Sequence, residues 1–304
     1  MKFLQIKEDL IGLDVGKIIE DEPLYKHTTY KVGGPARIYL MVKDVDSLVK
    51  AIKYCNEHQV KYMVIGKGSN LLFADKEYEG VVISLNECFN EIKINGSVIK
   101  AQAGVSMISL SYQAAKVGLS GFEFMGGIPG SIGGGIFMNA GAYKYDIASV
   151  VKTVTLLNEK CEVVVYNREQ MEFSYRHSIC QDNKKLIVLE VEFELTAKDP
   201  NEIKAILDKR KERRMSSQPW NMPSAGSVFR NPEDRAAWQY IDDCGLRGFE
   251  MGGAQVSPKH SNFIVNNGYA SAKDIYDLIM LVQEKVATKF GIKLKREVEL
   301  VNWE

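Results

Sequence analysis

The stretch from Gly126 to Gly141, GGIPGSIGGGIFMNAG, holds seven glycines in sixteen residues. A residue without Cβ lets backbone N–H groups approach a ligand closely, and consecutive N–H groups in such turns form anion-binding nests. The guest that suits this chemistry is a phosphate or pyrophosphate; the alternative is a glycine-rich turn that serves packing alone. A P-loop needs G-x-x-x-x-G-K-[ST], and no lysine follows any of these glycines. A Rossmann fingerprint needs G-x-G-x-x-G directly after an early strand, with an acidic residue about 20 positions on. Here Glu123 and Phe124 lead into the run and Pro129 interrupts it. A second glycine turn, Gly66-Lys67-Gly68-Ser69-Asn70-Leu71-Leu72, follows the short apolar run Tyr62–Ile65 and adds Ser69 and Asn70 as polar arms. Two such loops suggest a grip on two parts of one long dinucleotide.

The segments around these loops alternate between helix and strand signals. Residues 1–30 read as an N-terminal arm or short helix. Asp44 caps a helix whose stripe is Val45, Leu48, Val49, Ile52 and Cys55. Tyr62–Ile65 and Gly80–Leu85 read as buried strands, and with that helix they suggest a small α/β unit over about 30–90. A second unit has a strand at Val98–Ala103, a helix capped by Ser106, and strands near 151–158, 162–166 and 186–195. The run Lys198-Asp199-Pro200-Asn201 marks a boundary, followed by a charged helix over about 201–216. Beyond it come a loop from Gln218, a short helix near 234–244 and strands near 254–256 and 262–265. A long helix then runs from the Ser271 cap to Gly291, and a final strand spans Lys293–Val301.

The 304 residues carry 39 Lys+Arg against 39 Asp+Glu, so the net charge is zero and a general electrostatic grip on nucleic acid or anionic membrane is not expected. The five cysteines include no C-x-x-C, which leaves structural zinc and a disulfide framework without support and favours a reducing compartment. The N-terminus has no signal-peptide core. These features predict a cytoplasmic protein with no metal.

Seven motifs then fall in a recognisable order: HTTYKVGGPA (27–36), GKGSNLL (66–72), GFEFMGGIPGSIGGGIFMNAGAY (121–143), YRHS (175–178), QPWNMPSAGSVFRNP (218–232), GGAQVSPKHSNFIVN (252–266) and REVEL (296–300). With these the chain resembles the UDP-N-acetylenolpyruvoylglucosamine reductase (MurB) family of flavoenzymes. The resemblance implies an α+β fold: a two-part FAD-binding module of the vanillyl-alcohol oxidase type plus a smaller α/β substrate domain. On this chain that plan gives 1–90 as arm and first FAD-binding subdomain and 91–199 as the second. Residues 200–304 form the substrate-binding domain, its final strand returning to the active site. Ser227 and Gly252 are 25 positions apart, too close for the family's mobile-tyrosine insert, so the resemblance is to the shorter second type.

The implied reaction reduces FAD with NADPH and then the enolpyruvyl group of a UDP-sugar, giving UDP-N-acetylmuramate for peptidoglycan. Arg176 matches the family's catalytic arginine; a guanidinium grips a carboxylate in bidentate fashion and stays charged. Ser227 matches the proton donor, and Glu297, expected on the strand face opposite Val298, matches the catalytic glutamate that polarises the enolate or orients the donor. Cofactor contacts are implied for Gly66, Gly68, Ser69, Asn70 and Leu71, and for Gly126, Gly127, Pro129, Gly130, Ser131, Gly133, Gly134, Asn139, Ala140 and Gly141. Substrate contacts are implied for Tyr175, Arg214, Asn231 and Gln255. Some family members have a lysine three residues after this arginine; here the position is Ser217, and Lys259 is the candidate replacement.

Without the motifs, each of these residues has an ordinary reading: a surface Arg on a strand end, a loop Ser, a solvated Glu. Two other functions compete. One is a different FAD-dependent oxidase or dehydrogenase of the same fold. Such relatives often tether FAD through His or Cys, and neither lies in 66–72 or 126–143, so noncovalent FAD is expected. The other is a nonenzymatic nucleotide-binding module, which leaves YRHS, SAGSVF and REV unexplained. The partner expected is a small-molecule UDP-sugar, with no nucleic acid, membrane or protein partner inferred.

Overall fold

The computed structural model describes residues 2–304. In chain order the elements are α1 (Lys2–Gly12), β1 (Gly16–Pro23), β2 (Pro35–Val42), α2 (Val45–Glu57), β3 (Tyr62–Ile65), β4 (Leu71–Phe73), β5 (Tyr78–Ser84), β6 (Ile92–Asn95) and β7 (Val98–Gln102). Then come α3 (Met107–Lys116), β8 (Leu119–Ser120), α4 (Ile132–Phe137), β9 (Gly141–Ala142), β10 (Tyr145–Asp146), β11 (Val151–Leu157), β12 (Val163–Asn167), α5 (Ile179–Asp182), β13 (Ile187–Glu194) and β14 (Thr196–Ala197). The remainder is α6 (Pro200–Ser217), α7 (Ala237–Asp243), β15 (Glu250–Met251), β16 (Ala254–Val256), β17 (Ile264–Asn266), α8 (Ala272–Phe290) and β18 (Glu299–Val301). The chain is α+β. It divides into two units: one holds residues up to Asp21, Arg37–Lys67 and Glu79–Glu212; the other holds Glu22–Ala36, Gly68–Tyr78 and Arg213–Glu304. The second unit thus gathers two short segments from the first 80 residues of the chain.

The first unit is built on two sheets. One is antiparallel, in the order β12-β11-β13-β7-β6, and the other runs β1-β2-β5-β3. Strand β13 shows why: its residues alternate Val191, Phe193 inward against Glu190, Glu192 outward, the period of a half-buried strand. Strands β3 and β5 pair in parallel, Tyr62 opposite Val81, which requires a crossover. The expected strand–turn–strand is therefore not a hairpin, and β4, between them in sequence, pairs elsewhere. Helices begin where short polar side chains cap them. Asp44 accepts from the Ser47 N–H, and Ser106 from that of Ser109. The expected short helix is α1, which buries Ile6 and Leu10 in the core, and β1 after it joins a sheet.

The second unit packs α7 and α8 against the β15-β16-β17 sheet. Helix α8 starts at Ser271, which accepts from Asp274 N–H while the Asp274 carboxylate accepts from Ser271 N–H; it stops at Gly291 in the left-handed region (φ 68°). Its first turn is also held by Asp75, whose carboxylate accepts from the N–H groups of Ala272 and Lys273 at 2.9 and 3.0 Å. The adjoining β4 pairs in parallel with β18. The final strand is shorter than the expected Lys293–Val301: only Glu299–Val301 pairs in that way, while Arg296 bridges Phe229. Alternation in sequence marks both stretches alike, but they have different partners.

Tyr30 lies fully buried in the second unit's core, and its hydroxyl accepts or donates no hydrogen bond among the described residues. Burial pushes its phenol well above the ordinary value. An unsatisfied buried hydroxyl is destabilising, so Tyr30→Phe is expected to raise stability by about 1 kcal/mol. Thermal melting of the two proteins checks this; a lower melting temperature for the Phe variant means that the hydroxyl has a partner.

Candidate functional site

In the first unit the two glycine loops meet. A Cβ on Gly66 would lie 2.2 Å from Ser131 Oγ, so only glycine fits while that hydroxyl stays in place. Ser131 in turn caps α4, accepting from Gly134 N–H at 3.4 Å. The glycine-rich run is therefore a turn followed by a short helix, an arrangement its glycines conceal because helix propensity there is poor. The N–H groups of Ile132 and Gly133 donate to Val105 O and Ala103 O, each at 2.8 Å, and Gly135 N–H to Ser131 O. Beside Gly66 stands Asn86, a residue the sequence analysis did not single out. Its Nδ2 donates to Gly66 O at 3.0 Å, while its Oδ1 is shielded from solvent and accepts no bond among the described residues.

The other end of the run seats Arg176. Tyr175 and Arg176 form the tip of a two-residue turn between Ser174 and His177, whose backbones exchange both hydrogen bonds at 3.1 Å. Arg176 has a left-handed backbone (φ 57°) and donates from Nη2 to Gly141 O at 2.7 Å. Its guanidinium lies 5.1 Å from the Tyr175 ring centroid. Gln181 Nε2 donates both to Arg176 O and to Phe137 O, at 2.9 and 2.8 Å. Asn139 is buried and its amide is engaged throughout: Nδ2 donates to Asp146 Oδ2 and Ser174 O, and Oδ1 accepts from Ala148 N–H. Its side chain thus organises the turn that carries Arg176. Gln181 and Asp146 escaped the sequence reading because neither lies in a motif and their partners are not set by a helix or strand period.

In the second unit Ser227 and Glu297 lie on neighbouring segments. Glu297 N–H donates to Val228 O and Arg230 N–H to Lys295 O, both at 2.8 Å. Glu297 O accepts from Asn70 Nδ2 at 3.0 Å, so the asparagine of the GKGSNLL turn meets the glutamate's backbone. Glu297 is half-buried beside buried Val298, just ahead of β18 rather than inside a long strand. Behind Ser227 stands buried Asn262: its backbone O and Oδ1 accept from Val228 and Phe229 N–H, and its Nδ2 donates to Phe229 O. His260 Nδ1 accepts from Asn262 N–H, and burial holds that imidazole below its ordinary pKa, in the neutral form this bond needs.

The remaining expected residues have local partners in the same unit. Asn231 Oδ1 accepts from Ala237 N–H at the start of α7, the turn-capping arrangement. Gln255 Nε2 donates to Gly248 O and Glu250 Oε1. Arg214 is half-buried near the end of α6, where the Ser216 and Ser217 hydroxyls both donate to Arg213 O. Lys259 Nζ donates to Met215 O, bringing a cation to the same helix end. Among the described residues no group of three His, Cys, Asp or Glu could hold a metal, and no helix is long and apolar enough to cross a membrane.

The family models divide the chain in the same sense. One described as an FAD binding domain matches residues 36–167, and one described as UDP-N-acetylenolpyruvoylglucosamine reductase, C-terminal domain, matches 218–301. The class is thus that of FAD-dependent oxidoreductases. UDP-N-acetylenolpyruvoylglucosamine reductase 1 of Bacillus anthracis is 42% identical over 98% of this chain and 99% of its own. The corresponding reductase of Bacillus pumilus is 41% identical over 98% of this chain and 99% of its own. The crystal structure of the reductase (MurB) from Thermus caldophilus superposes with a TM-score of 0.81 at 33% identity, covering 93% of this chain and 98% of that one. The chain belongs to the UDP-N-acetylenolpyruvoylglucosamine reductase family.

The residues present fit FAD. Gly66 keeps a backbone surface clear where a Cβ would collide, and Asn86 offers beside it a buried acceptor of the kind that FAD hydroxyls and N–H groups satisfy. A Cβ on Gly134, by contrast, would meet only Ser131 Oγ, at 3.5 Å. Gly66→Ala is therefore expected to weaken FAD retention at least about tenfold, roughly the effect of displacing the Ser131 cap, while Gly134→Ala retains it. Flavin fluorescence titration of the apoprotein checks both; equal affinity in the two variants removes Gly66 from the cofactor site.

Proposed function

We propose that this chain catalyses the NADPH-dependent reduction of the enolpyruvyl ether of UDP-N-acetylglucosamine to UDP-N-acetylmuramate, in the cytoplasm, with noncovalent FAD. The observation that carries the reading is the double use of the glycine-rich run. Its Ser131 lies beside Gly66 of the GKGSNLL turn, and its last residue seats Arg176 through Gly141 O. One continuous element thus serves both the cofactor loop and the cation for the substrate.

Bound FAD, reduced by NADPH, supplies the hydride for the terminal alkene carbon. The chain's residues do the rest. Gly66, Gly68, Ser69, Asn70 and Leu71 hold the cofactor together with Gly127, Gly130 and Ser131; the N–H groups of Ile132 to Gly135 already have protein acceptors. Arg176 binds the substrate carboxylate, so that the charge developing beside it meets a preorganised cation. Tyr175 lies against the same guanidinium and lines the pocket. Ser227 donates its hydroxyl proton to the carbon next to the carboxylate. A serine hydroxyl is a weak acid, so its position must be fixed; Asn262 clamps the two residues after it, and Glu297 polarises the donor or the enolate. Arg214 and Lys259 face the diphosphate, and Asn231 and Gln255 the sugar nucleotide.

Ser227→Ala should leave folding, FAD binding and flavin reduction by NADPH nearly unchanged. Stopped-flow reoxidation of the reduced flavin by the sugar nucleotide should slow by about 10²–10⁴-fold, the usual contribution of a general acid. Ser227→Cys should regain part of the rate. Reoxidation of the Ala variant within about threefold of the parent, far less than such a loss, assigns the proton to another group. Failure of the parent's reduced flavin to reoxidise with this sugar nucleotide at all points instead to a different oxidase or dehydrogenase.

Arg176→Lys keeps the charge but loses the planar fork. It is expected to slow the same reoxidation and to leave reduction by NADPH nearly normal. Equal losses in both half-reactions would mean that Arg176 is structural.

A further inference from the structure

Helix α6 buries only Ile203 and Leu207, which pack with Ala115 and Tyr112. The same stripe continues through half-buried Ile206 to half-buried Arg210, three residues beyond Leu207 and so on the same helix face. A Cβ on Gly126 would lie 2.4 Å from Leu207 Cδ2, so α6 rests directly on the first residue of the glycine-rich run. Arg210 reaches the hairpin that ends it. Its guanidinium lies 4.8 Å from the Tyr143 ring centroid and 5.8 Å from that of Tyr145, both within cation–π range. Tyr143 OH donates back to Arg210 O at 3.1 Å.

The hairpin needs such a hold. Strands β9 and β10 pair Ala142 with Tyr145 and Gly141 with Asp146, leaving Tyr143 and Lys144 as a two-residue turn. Both have left-handed backbones, φ 58° and 67°, a turn that ordinarily takes Asn-Gly. Two bulky residues persist there only where the surroundings determine the conformation. The same four-residue pairing carries Gly141 O, which accepts from Arg176, and Asp146 Oδ2, which accepts from Asn139.

We infer that Arg210 is a positioning residue for Arg176: by clasping Tyr143 and Tyr145 it fixes the hairpin whose Gly141 carbonyl orients the Arg176 guanidinium toward the substrate carboxylate. The inference rests on the carboxylate-binding role of Arg176. It gives a use to a cation on a helix whose charges otherwise read as a solvated face.

The test uses the FAD-loaded full chain and both half-reactions by stopped flow. Arg210→Ala is expected to slow reoxidation of reduced flavin by the sugar nucleotide about 5- to 100-fold, the range expected when a catalytic group shifts by up to about 1 Å. Arg210→Lys, which keeps a cation over the rings, recovers most of that loss. Reduction by NADPH changes less than about twofold in either variant, being untouched by a misoriented carboxylate ligand. Because Arg210 acts through Arg176, the double variant Arg176→Lys, Arg210→Ala is no slower than Arg176→Lys alone within about threefold. Multiplying losses, equal damage to both half-reactions, or a normal Arg210→Ala beside a slowed Arg176→Lys overturns the inference alone. A normal Arg176→Lys overturns the carboxylate role, and the inference falls with it.

Discussion

The buried amide of Asn139 is the interaction on which the Arg176 side of the first unit depends. Its three hydrogen bonds join the end of α4 to the 174–177 turn, to Asp146 at the end of β10 and to Ala148 just beyond it. No other side chain suits the position as well. It must offer two donors and an acceptor, and its own backbone is left-handed (φ 42°), a conformation asparagine tolerates better than most. Removing one partner would leave buried polar groups unpaired, at about 1–3 kcal/mol each. The larger effect is geometric, since the turn carrying Arg176 would lose its tie to the glycine-rich run.

The second unit solves a similar problem with Asn262. Two backbone N–H groups and one carbonyl of the strand after Ser227 are satisfied by one buried residue. Glu297 approaches the same strand from the other side, through Val228 O. A guanidinium stays charged without help and needs only orientation. A hydroxyl that is to act as an acid gains everything from being held still, since its acidity alone is poor. Buried asparagines thus tie down the backbone at Arg176 and Ser227, and half-buried Asn70 meets that of Glu297.

Local chemistry was legible in the sequence. Caps at Asp44, Ser106 and Ser271 and the stop at Gly291 are set by residues within one helical turn, and all four stand where the pattern put them. The alternation over 189–194 likewise depends on one strand and its own two faces. What depended on distant partners was not legible. Strand β4 pairs with β18 across more than two hundred residues, and nothing in its apolar composition names that partner. The Gln181 contacts to Phe137 O and Arg176 O and the Arg210 clasp join separate segments, so composition and spacing are silent on them. The glycine-rich run was half legible: glycine content announces close approach, but either a ligand or a packed neighbour such as Leu207 meets that description.

The departure at Ser217 has a physical consequence at the end of α6. The last carbonyls of a helix carry partial negative charge and lack intrahelical donors. Here the Ser216 and Ser217 hydroxyls fold back onto Arg213 O, and Lys259 Nζ serves Met215 O from another segment. Lysine placed within the helix would be a long flexible arm on a fraying end. Lysine arriving from the 257–260 turn is anchored differently: its backbone N–H donates to Ser257 Oγ, and Ser257 itself is buried. An ammonium carries three donors, and a carbonyl bond occupies one. Two remain on a cation whose position is set by two segments rather than one. The Lys259 ammonium thus meets this helix end from outside the helix, with its orientation set by the turn that also carries His260 and Asn262.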